Sequence, residues 1–138
     1  MERVLIAVAV GVAVVALAWA LQRRRSEPPT QARWAVPAQL DRRDFDGPET
    51  SWLVAVFTSS TCESCAEAVA KAAPLAGPDV VVQEVEVEVA RDLHRRYGIE
   101  AVPTVVIADA EGVVRSSFVG PPVATQLWAA MAEAREEG

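Results

Sequence analysis

The chain has 138 residues, 51% of them hydrophobic, a formal net charge of −6, two cysteines and one histidine, which leaves room for about one domain of ordinary size. Cys62, Cys65 and His94 are too few for a Cys/His metal cage of about four ligands, and the single bridge that two cysteines allow excludes a disulfide-stapled scaffold. The charge is unevenly divided: residues 1–25 carry +3 and residues 26–138 carry −9, and an acidic folded part argues against nucleic acid as a partner.

The first predicted element is Val4 to Leu21, an apolar run of 18 residues whose only polar side-chain group is the Trp19 indole. At about 1.5 Å per residue it would span about 27 Å, close to the hydrocarbon thickness of a bilayer. Trp19 followed by Arg23, Arg24 and Arg25 fits an interfacial anchor with a basic flank. The expectation is a single-pass cell-membrane helix within residues 1–25. A cleaved signal peptide is the competing reading, because Ala18-Trp19-Ala20 has a small-x-small form; the near-neutral start, Glu2 against Arg3, and the arginines after the run oppose it. The arginine excess places the rest of the chain on the cytoplasmic face by the positive-inside rule, with the extracytoplasmic face as the alternative.

Residues 26–32 read as a linker stiffened by Pro28 and Pro29, and residues 33–138 as one folded domain. Trp34 to Leu40 predicts a first strand, edge-bound because of Pro37, and Asp41 to Phe45 a helical turn. Trp52 to Thr58 is a continuous run of β-branched and aromatic residues, the pattern of a strand buried on both faces. Cys62 to Ala73 predicts a helix with Cys65, Val69 and Ala73 on its inner face, ended by Pro74.

Where that strand meets that helix stands Thr58-Ser-Ser-Thr-Cys62-Glu-Ser-Cys65. A helix N-terminus at or beside Cys62 would favour its thiolate, and the i, i+3 spacing puts Cys65 one turn behind, within bonding distance. A dithiol so placed can attack a disulfide through the outer sulfur and be resolved by the inner one. Half of a metal site, completed by His94, a carboxylate or a second chain, is the alternative.

Val80 to Val89 predicts a strand whose Glu84, Glu86 and Glu88 form a solvated face. Ala90 to Tyr97 predicts a short helix ended by Gly98, with His94 on its solvated side. Val102 to Ala108 and Val113 to Val119 form a hairpin turned at Gly112. Pro122 to Glu137 predicts a last helix with Val123, Leu127, Ala130, Met131 and Ala134 along one stripe and Trp128 as a packing residue. The order implies an α/β domain with a mixed central sheet and helices on both faces.

The domain resembles the thioredoxin-like family. The likeness rests on the CxxC after a buried strand, on Tyr97-Gly-Ile-Glu-Ala-Val102-Pro103-Thr104, similar to the segment before the family's cis-proline strand, and on Gly120 after the last strand. It implies a three-layer thioredoxin-like fold behind the membrane helix and a redox-active, reversibly formed disulfide, with Cys62 as nucleophile and Cys65 as resolving cysteine. It also implies a client groove formed by the backbone of Val102, by Pro103 facing the sulfurs and by Gly120. No cofactor or metal is called for.

The chain departs from the family's pattern in three places. Thr61 stands where thioredoxins have Trp, Glu63-Ser64 where they have Gly-Pro, and Val56 where they keep a buried acid for the second cysteine's proton. Glu63 would disfavour the Cys62 thiolate. With Val56 inert, proton transfer falls to water or to a group such as Ser64, which points to slow turnover or a narrow range of partners. The expected function is a membrane-tethered thiol-disulfide oxidoreductase that acts on protein disulfide or dithiol clients and is supplied by a separate electron donor. The alternative is a non-catalytic module that holds a peptide or metal near Pro103, with the CxxC as a redox sensor.

Overall fold

The computed structural model describes residue 1, residues 11–16 and residues 34–138. Contacts divide the chain into two compact units, Met1–Arg33 and Trp34–Gly138. In the first unit residues 11–16 are helical. Among the described residues no helix is long and apolar enough to cross a membrane; the rest of the run Val4 to Leu21, and the linker 26–32, lie outside the described residues.

The second unit is built on a four-stranded sheet of β1 (Trp52–Thr58), β2 (Val80–Glu86), β3 (Thr104–Ala108) and β4 (Val114–Val119) in the order β2-β1-β3-β4. β1 runs parallel to β2, with Trp52 opposite Val80 and Thr58 opposite Glu86. β3 runs antiparallel to both β1 and β4, and a bulge at Ile107/Ala108 interrupts the β3–β4 register. Three helices accompany the strands: α1 (Cys65–Ala72), α2 (Arg91–Arg96) and α3 (Ala124–Glu137). The parallel pair is the one with a helix between its strands, because a parallel return needs a crossover that a hairpin turn cannot supply.

Every residue of β1 is buried, as expected of a central strand covered on both faces. Its alternate side chains supply two cores. Trp52, Val54 and Val56 pack with Val105, Ile107, Ala68 and Ala72 of α1, and Leu127, Met131 and Ala134 of α3. Leu53, Ala55 and Phe57 pack on the other face with Val85, Val106, Leu40 and Phe45, flanked by Leu93 and Tyr97. The result is a three-layer α/β arrangement.

Several expected elements are shorter than the pattern suggested. Trp34 to Leu40 does not form a strand: only the bridge Gln39–Val113 survives, since Pro37 lacks the N–H a ladder needs. The segment is fastened instead by Arg42, in a 3-10 turn over Arg42–Asp44. The Arg42 guanidinium is buried and donates to the carbonyls of Gly47, Thr50 and Asp109 at 2.9–3.0 Å. β2 stops at Glu86, and Val87–Val89 turn away from the sheet. In the last helix the stripe is Leu127, Met131 and Ala134, whereas Val123 lies ahead of the first turn and is exposed.

One expectation about a single residue is overturned. His94 is not solvated. It is 4% exposed, its Nε2–H donates to the Val85 carbonyl at 2.7 Å, and its ring meets Phe57 edge-on at 5.2 Å. A six-residue α2 must turn one polar side chain inward to cover the sheet, and the Val85 carbonyl satisfies it. Trp128 packs at the surface: it lies 45% exposed and donates its indole N–H to the Lys71 carbonyl at 3.0 Å, which ties α3 to α1. Gly112 does more than turn the hairpin, because its carbonyl accepts from Leu40 N at 2.8 Å.

Candidate active site

The β1 strand ends at Thr58, and the next residues form a turn before any helix begins. Cys62 N donates to the Ser59 carbonyl at 3.1 Å, and Cys65 N to the Cys62 carbonyl at 3.3 Å. The helix α1 starts only at Cys65, with Ser64 as its N-cap residue. The expectation of a helix beginning at or beside Cys62 is therefore corrected. Ser59, Ser60 and Thr61 carry short side chains that bond their own backbone and compete with helix in just this way; Thr61 N donates to Ser59 Oγ at 3.3 Å. The inner face of α1 is Cys65, Ala68 and Ala72 with the expected Val69 partly buried against the same core, whereas Ala73, in the 3-10 turn that follows, is exposed.

Cys62 and Cys65 are joined as a disulfide, with their Cα atoms 5.4 Å apart. Cys65 is 3% exposed, whereas Cys62 is half-buried and so open to solvent on one side. Ser64 makes no capping bond with its side chain; its Oγ lies 3.8 Å from Cys62 Sγ. Glu63, between the two cysteines, is exposed.

Strand register brings three further predicted residues to the same end of the sheet. Thr104 is opposite Phe57 on β1 and opposite Val119 on β4, so Pro103 and Gly120 lie just beyond β3 and β4, level with the start of the CxxC turn. The Val102–Pro103 bond is cis, Pro103 is buried, and Gly120 N donates to the Pro103 carbonyl at 2.8 Å. Gly120 has a φ of +90°, and a Cβ built on it would meet nothing within 4 Å. Val102 is half-buried against the second core. Val56 is fully buried among apolar side chains of the first core, which gives a proton nowhere to go.

Glu84 and Glu88 are exposed, as a solvated face requires, and both carboxylates also accept hydrogen bonds from the end of β1 and the turn after it. Glu84 accepts from the Thr58 hydroxyl at 2.8 Å, and Thr58, 1% exposed, is a buried hydroxyl that needs such a partner. Glu88, on the turn after β2, accepts from Ser59 Oγ at 2.8 Å, Ser60 Oγ at 2.9 Å and Ser60 N at 3.2 Å. Those donors, the Ser59 hydroxyl first among them, hold the Glu88 carboxyl at about 2, below its ordinary 4.5. The alternation of Glu and Val concealed these contacts. The one available signal is the Ser59-Ser60-Thr61 run, three successive hydroxyls just before the motif. Among the described residues no three His, Cys, Asp or Glu side chains gather into a metal-sized cluster; His94 packs with Phe57 in the second core, on the face of the sheet opposite α1.

The disulfide thus has one buried and one accessible cysteine at the carboxyl end of a central strand. A probable thioredoxin of Methanothermobacter thermautotrophicus is 36% identical over 86 residues, 60% of this chain and 95% of that relative. The chain belongs to the thioredoxin family. A second probable thioredoxin, from Methanothermobacter marburgensis, is 36% identical over 83 residues, 58% of this chain and 92% of its own length. No protein-family model matches the chain. Among solved structures, the thioredoxin Deadhead of Drosophila melanogaster superposes with a TM-score of 0.57 over 72% of this chain and 97% of that one, at 22% identity. Oxidised mitochondrial thioredoxin 3 of Saccharomyces cerevisiae gives 0.54 over 62% and 81%, at 23% identity. These two likenesses concern the fold. Family membership together with the CxxC pair makes this protein a thioredoxin-like thiol-disulfide oxidoreductase.

Proposed function

We propose that this thioredoxin-like protein is a membrane-tethered reductase of protein disulfides, with Cys62 as nucleophile and Cys65 as resolving cysteine. The observation that carries the assignment of roles is the exposure difference: Cys62 is half-buried and Cys65 is 3% exposed. A client sulfur can therefore reach the partly exposed Cys62, whereas Cys65 is shielded from solvent. In the reduced protein the Cys62 thiolate attacks a client disulfide, forms a mixed disulfide and expels the first client thiolate. Cys65, deprotonated, then attacks the Cys62 sulfur, releases the second client thiolate and leaves the Cys62–Cys65 disulfide. Two electrons have passed to the client, and a dithiol carrier must return two to restore the pair.

Val102, Pro103 and Gly120 form the client groove in this reading. It is supported by their place at the CxxC end of the sheet and by the open space above Gly120, where an extended client segment can pair its backbone. Glu63 and Ser64 tune the nucleophile. A carboxylate next to Cys62 opposes ionisation of its thiol, and the Ser64 hydroxyl, 3.8 Å from Cys62 Sγ, is placed to meet the sulfur. With Val56 in place of an acid, the Cys65 proton leaves by way of water or Ser64, which favours slow exchange with few clients.

The tether is the apolar run Val4 to Leu21 followed by Arg23, Arg24 and Arg25, and this basic flank favours the cytoplasmic face for the domain. Thiol labelling of intact cells with a membrane-impermeant reagent tests it. Protection of both cysteines until the membrane is permeabilised is the expected result; labelling in intact cells would put the domain outside, and recovery of the protein in the soluble fraction would remove the tether.

A further inference from the structure

The turn that presents Cys62 is held from outside by one carboxylate, and nothing in the exchange chemistry described so far uses it. Glu88 belongs to the Val87–Val89 turn, which is itself fixed: Val87 N donates to the Thr58 carbonyl at 2.9 Å, and Val89 N and Ala90 N donate to the Glu86 carbonyl at 3.1 and 2.8 Å. From this fixed mount Glu88 accepts three hydrogen bonds from Ser59 and Ser60. Ser59 passes the restraint on. Its Oγ lies 3.1 Å from Thr61 Oγ1 and accepts from Thr61 N, and its carbonyl accepts from Cys62 N. Every residue between β1 and Cys62 is thus linked to Glu88 directly or through Ser59. Glu88 is exposed, yet it is the acid that reaches this turn: Glu84 binds Thr58, Glu63 and Glu86 make no hydrogen bond to residues 59–61, and no cation approaches Glu88 within salt-bridge distance among the described residues.

We infer that Glu88 is a positioning residue of the redox centre, whose carboxylate holds the Ser59–Thr61 turn so that Cys62 stands over Cys65 ready for disulfide closure. The inference rests on Cys62 and Cys65 being the working pair. Two thiols held at the closing separation have a high effective concentration, and loosening one of them lowers it. The contacts are those of the oxidised form, so their loss should weaken the disulfide more than the dithiol. Charge-assisted hydrogen bonds to a carboxylate are roughly twice as strong as neutral ones, which makes three of them at one residue an effective restraint.

The test is the thiol-disulfide equilibrium of the full-length chain with glutathione, in which one oxidised glutathione closes Cys62–Cys65 and two reduced glutathiones are released. Glu88→Ala should lower the equilibrium constant for closure about tenfold, about 30 mV towards a more oxidising couple. Glu88→Gln, which keeps an acceptor oxygen but not the charge, should recover part of that loss. By the thermodynamic cycle, the oxidised form of Glu88→Ala must then lose more unfolding stability than the reduced form. A residue with a merely structural role would lower both stabilities equally and leave the glutathione equilibrium unmoved. An equilibrium within twofold of the parent for both variants overturns the inference. Should Glu88→Ala fail to fold, Glu88→Gln and Ser60→Ala, which removes one of the three donors, decide by the same measure, each expected to lower closure severalfold. The measurement needs no client, so a parent protein that closes normally but reduces no protein disulfide would refute the proposed function and leave this inference standing.

Discussion

Two glycines at opposite ends of the sheet share a backbone conformation and differ in what surrounds them, so replacing each with alanine separates folding from client binding. Gly120 has φ +90° and Gly112 φ +81°, a region where an L-residue costs about 1–2 kcal/mol. At Gly120 the added methyl meets nothing within 4 Å, so Gly120→Ala should lose only that backbone penalty. For a domain of about this size each 1 kcal/mol is about 4–8 °C in Tm. At Gly112 the Cβ would sit 2.0 Å from the Leu40 carbonyl oxygen, a backbone atom that cannot swing aside. Making room there also strains the bond from Leu40 N to the Gly112 carbonyl, beside a Leu40 that is 1% exposed. A lost buried hydrogen bond adds about 1–3 kcal/mol, bringing Gly112→Ala to about 2–5 kcal/mol, a large share of a typical stability margin of about 5–15 kcal/mol. Function should follow the reverse order. The Gly120 methyl projects into the space where a client backbone would lie, so KM for a protein disulfide should rise about tenfold, equivalent to about 1.4 kcal/mol, while reduction of a small aromatic disulfide stays within twofold. Gly112→Ala, assayed well below its Tm, should alter neither rate. Urea unfolding and steady-state reduction of both substrates measure all of this. An unchanged protein-disulfide KM in folded Gly120→Ala would refute the groove, and a Gly112→Ala as stable as Gly120→Ala would refute the steric argument.

Cys65→Ser leaves the mixed disulfide at Cys62 without its resolving thiol, so protein clients should be recovered as covalent adducts on non-reducing gels, whereas Cys62→Ser should trap few; the opposite pattern would exchange the two roles. His94→Phe keeps the ring beside Phe57 but leaves the Val85 carbonyl without its donor, and should cost about 1–3 kcal/mol in urea unfolding with the glutathione equilibrium unchanged. On acidification, Glu88 and Asp41 both retain charge down to about 2, Glu88 through the hydroxyls of Ser59 and Ser60 and Asp41 through the Arg43 side chain. Their folded pKa values lie below the ordinary 4.5 and 3.8, so their contribution to stability is complete above those values and lost as pH falls towards 2. The urea midpoint should decline over that window, and more shallowly in Glu88→Gln; an equally steep decline would show that Glu88 is not a contributor.

The parts of this fold that could be read in the chain are those where one physical requirement dominates. Trp52 to Thr58 had to be a central strand because seven successive residues without a wet position fit nothing else of that length, and all seven are buried. The CxxC was legible because two cysteines three apart behind a buried strand have few other uses. What failed were positions decided by a partner distant in sequence. His94, one polar residue among charged ones, gave no sign that α2 would turn it onto Phe57 and the Val85 carbonyl. Trp34 to Leu40 has the composition of a strand, yet the guanidinium of Arg42, bound to carbonyls of Gly47, Thr50 and Asp109, holds that region in place of a ladder.

The Glu84, Glu86, Glu88 row shows why such contacts escape pattern reading. Strict alternation fixes which face of a strand a side chain takes, and Glu84 and Glu86 do emerge on the side away from the buried valine, Val85, with Glu88 on the turn beyond. Alternation carries no information about what the rest of the chain brings to that face. Here the parallel pairing of β1 with β2 brings Thr58 level with Glu86 and sets the Ser59–Thr61 turn beside the turn that follows β2. Two of the three carboxylates, while still exposed, thereby become acceptors for hydroxyls at the end of β1 and in the turn before Cys62. The same crossover that makes the strands parallel therefore delivers Glu88 to the redox centre: a parallel partner ends at the same edge of the sheet as β1, whereas an antiparallel one would have begun there and carried its last acid to the opposite end.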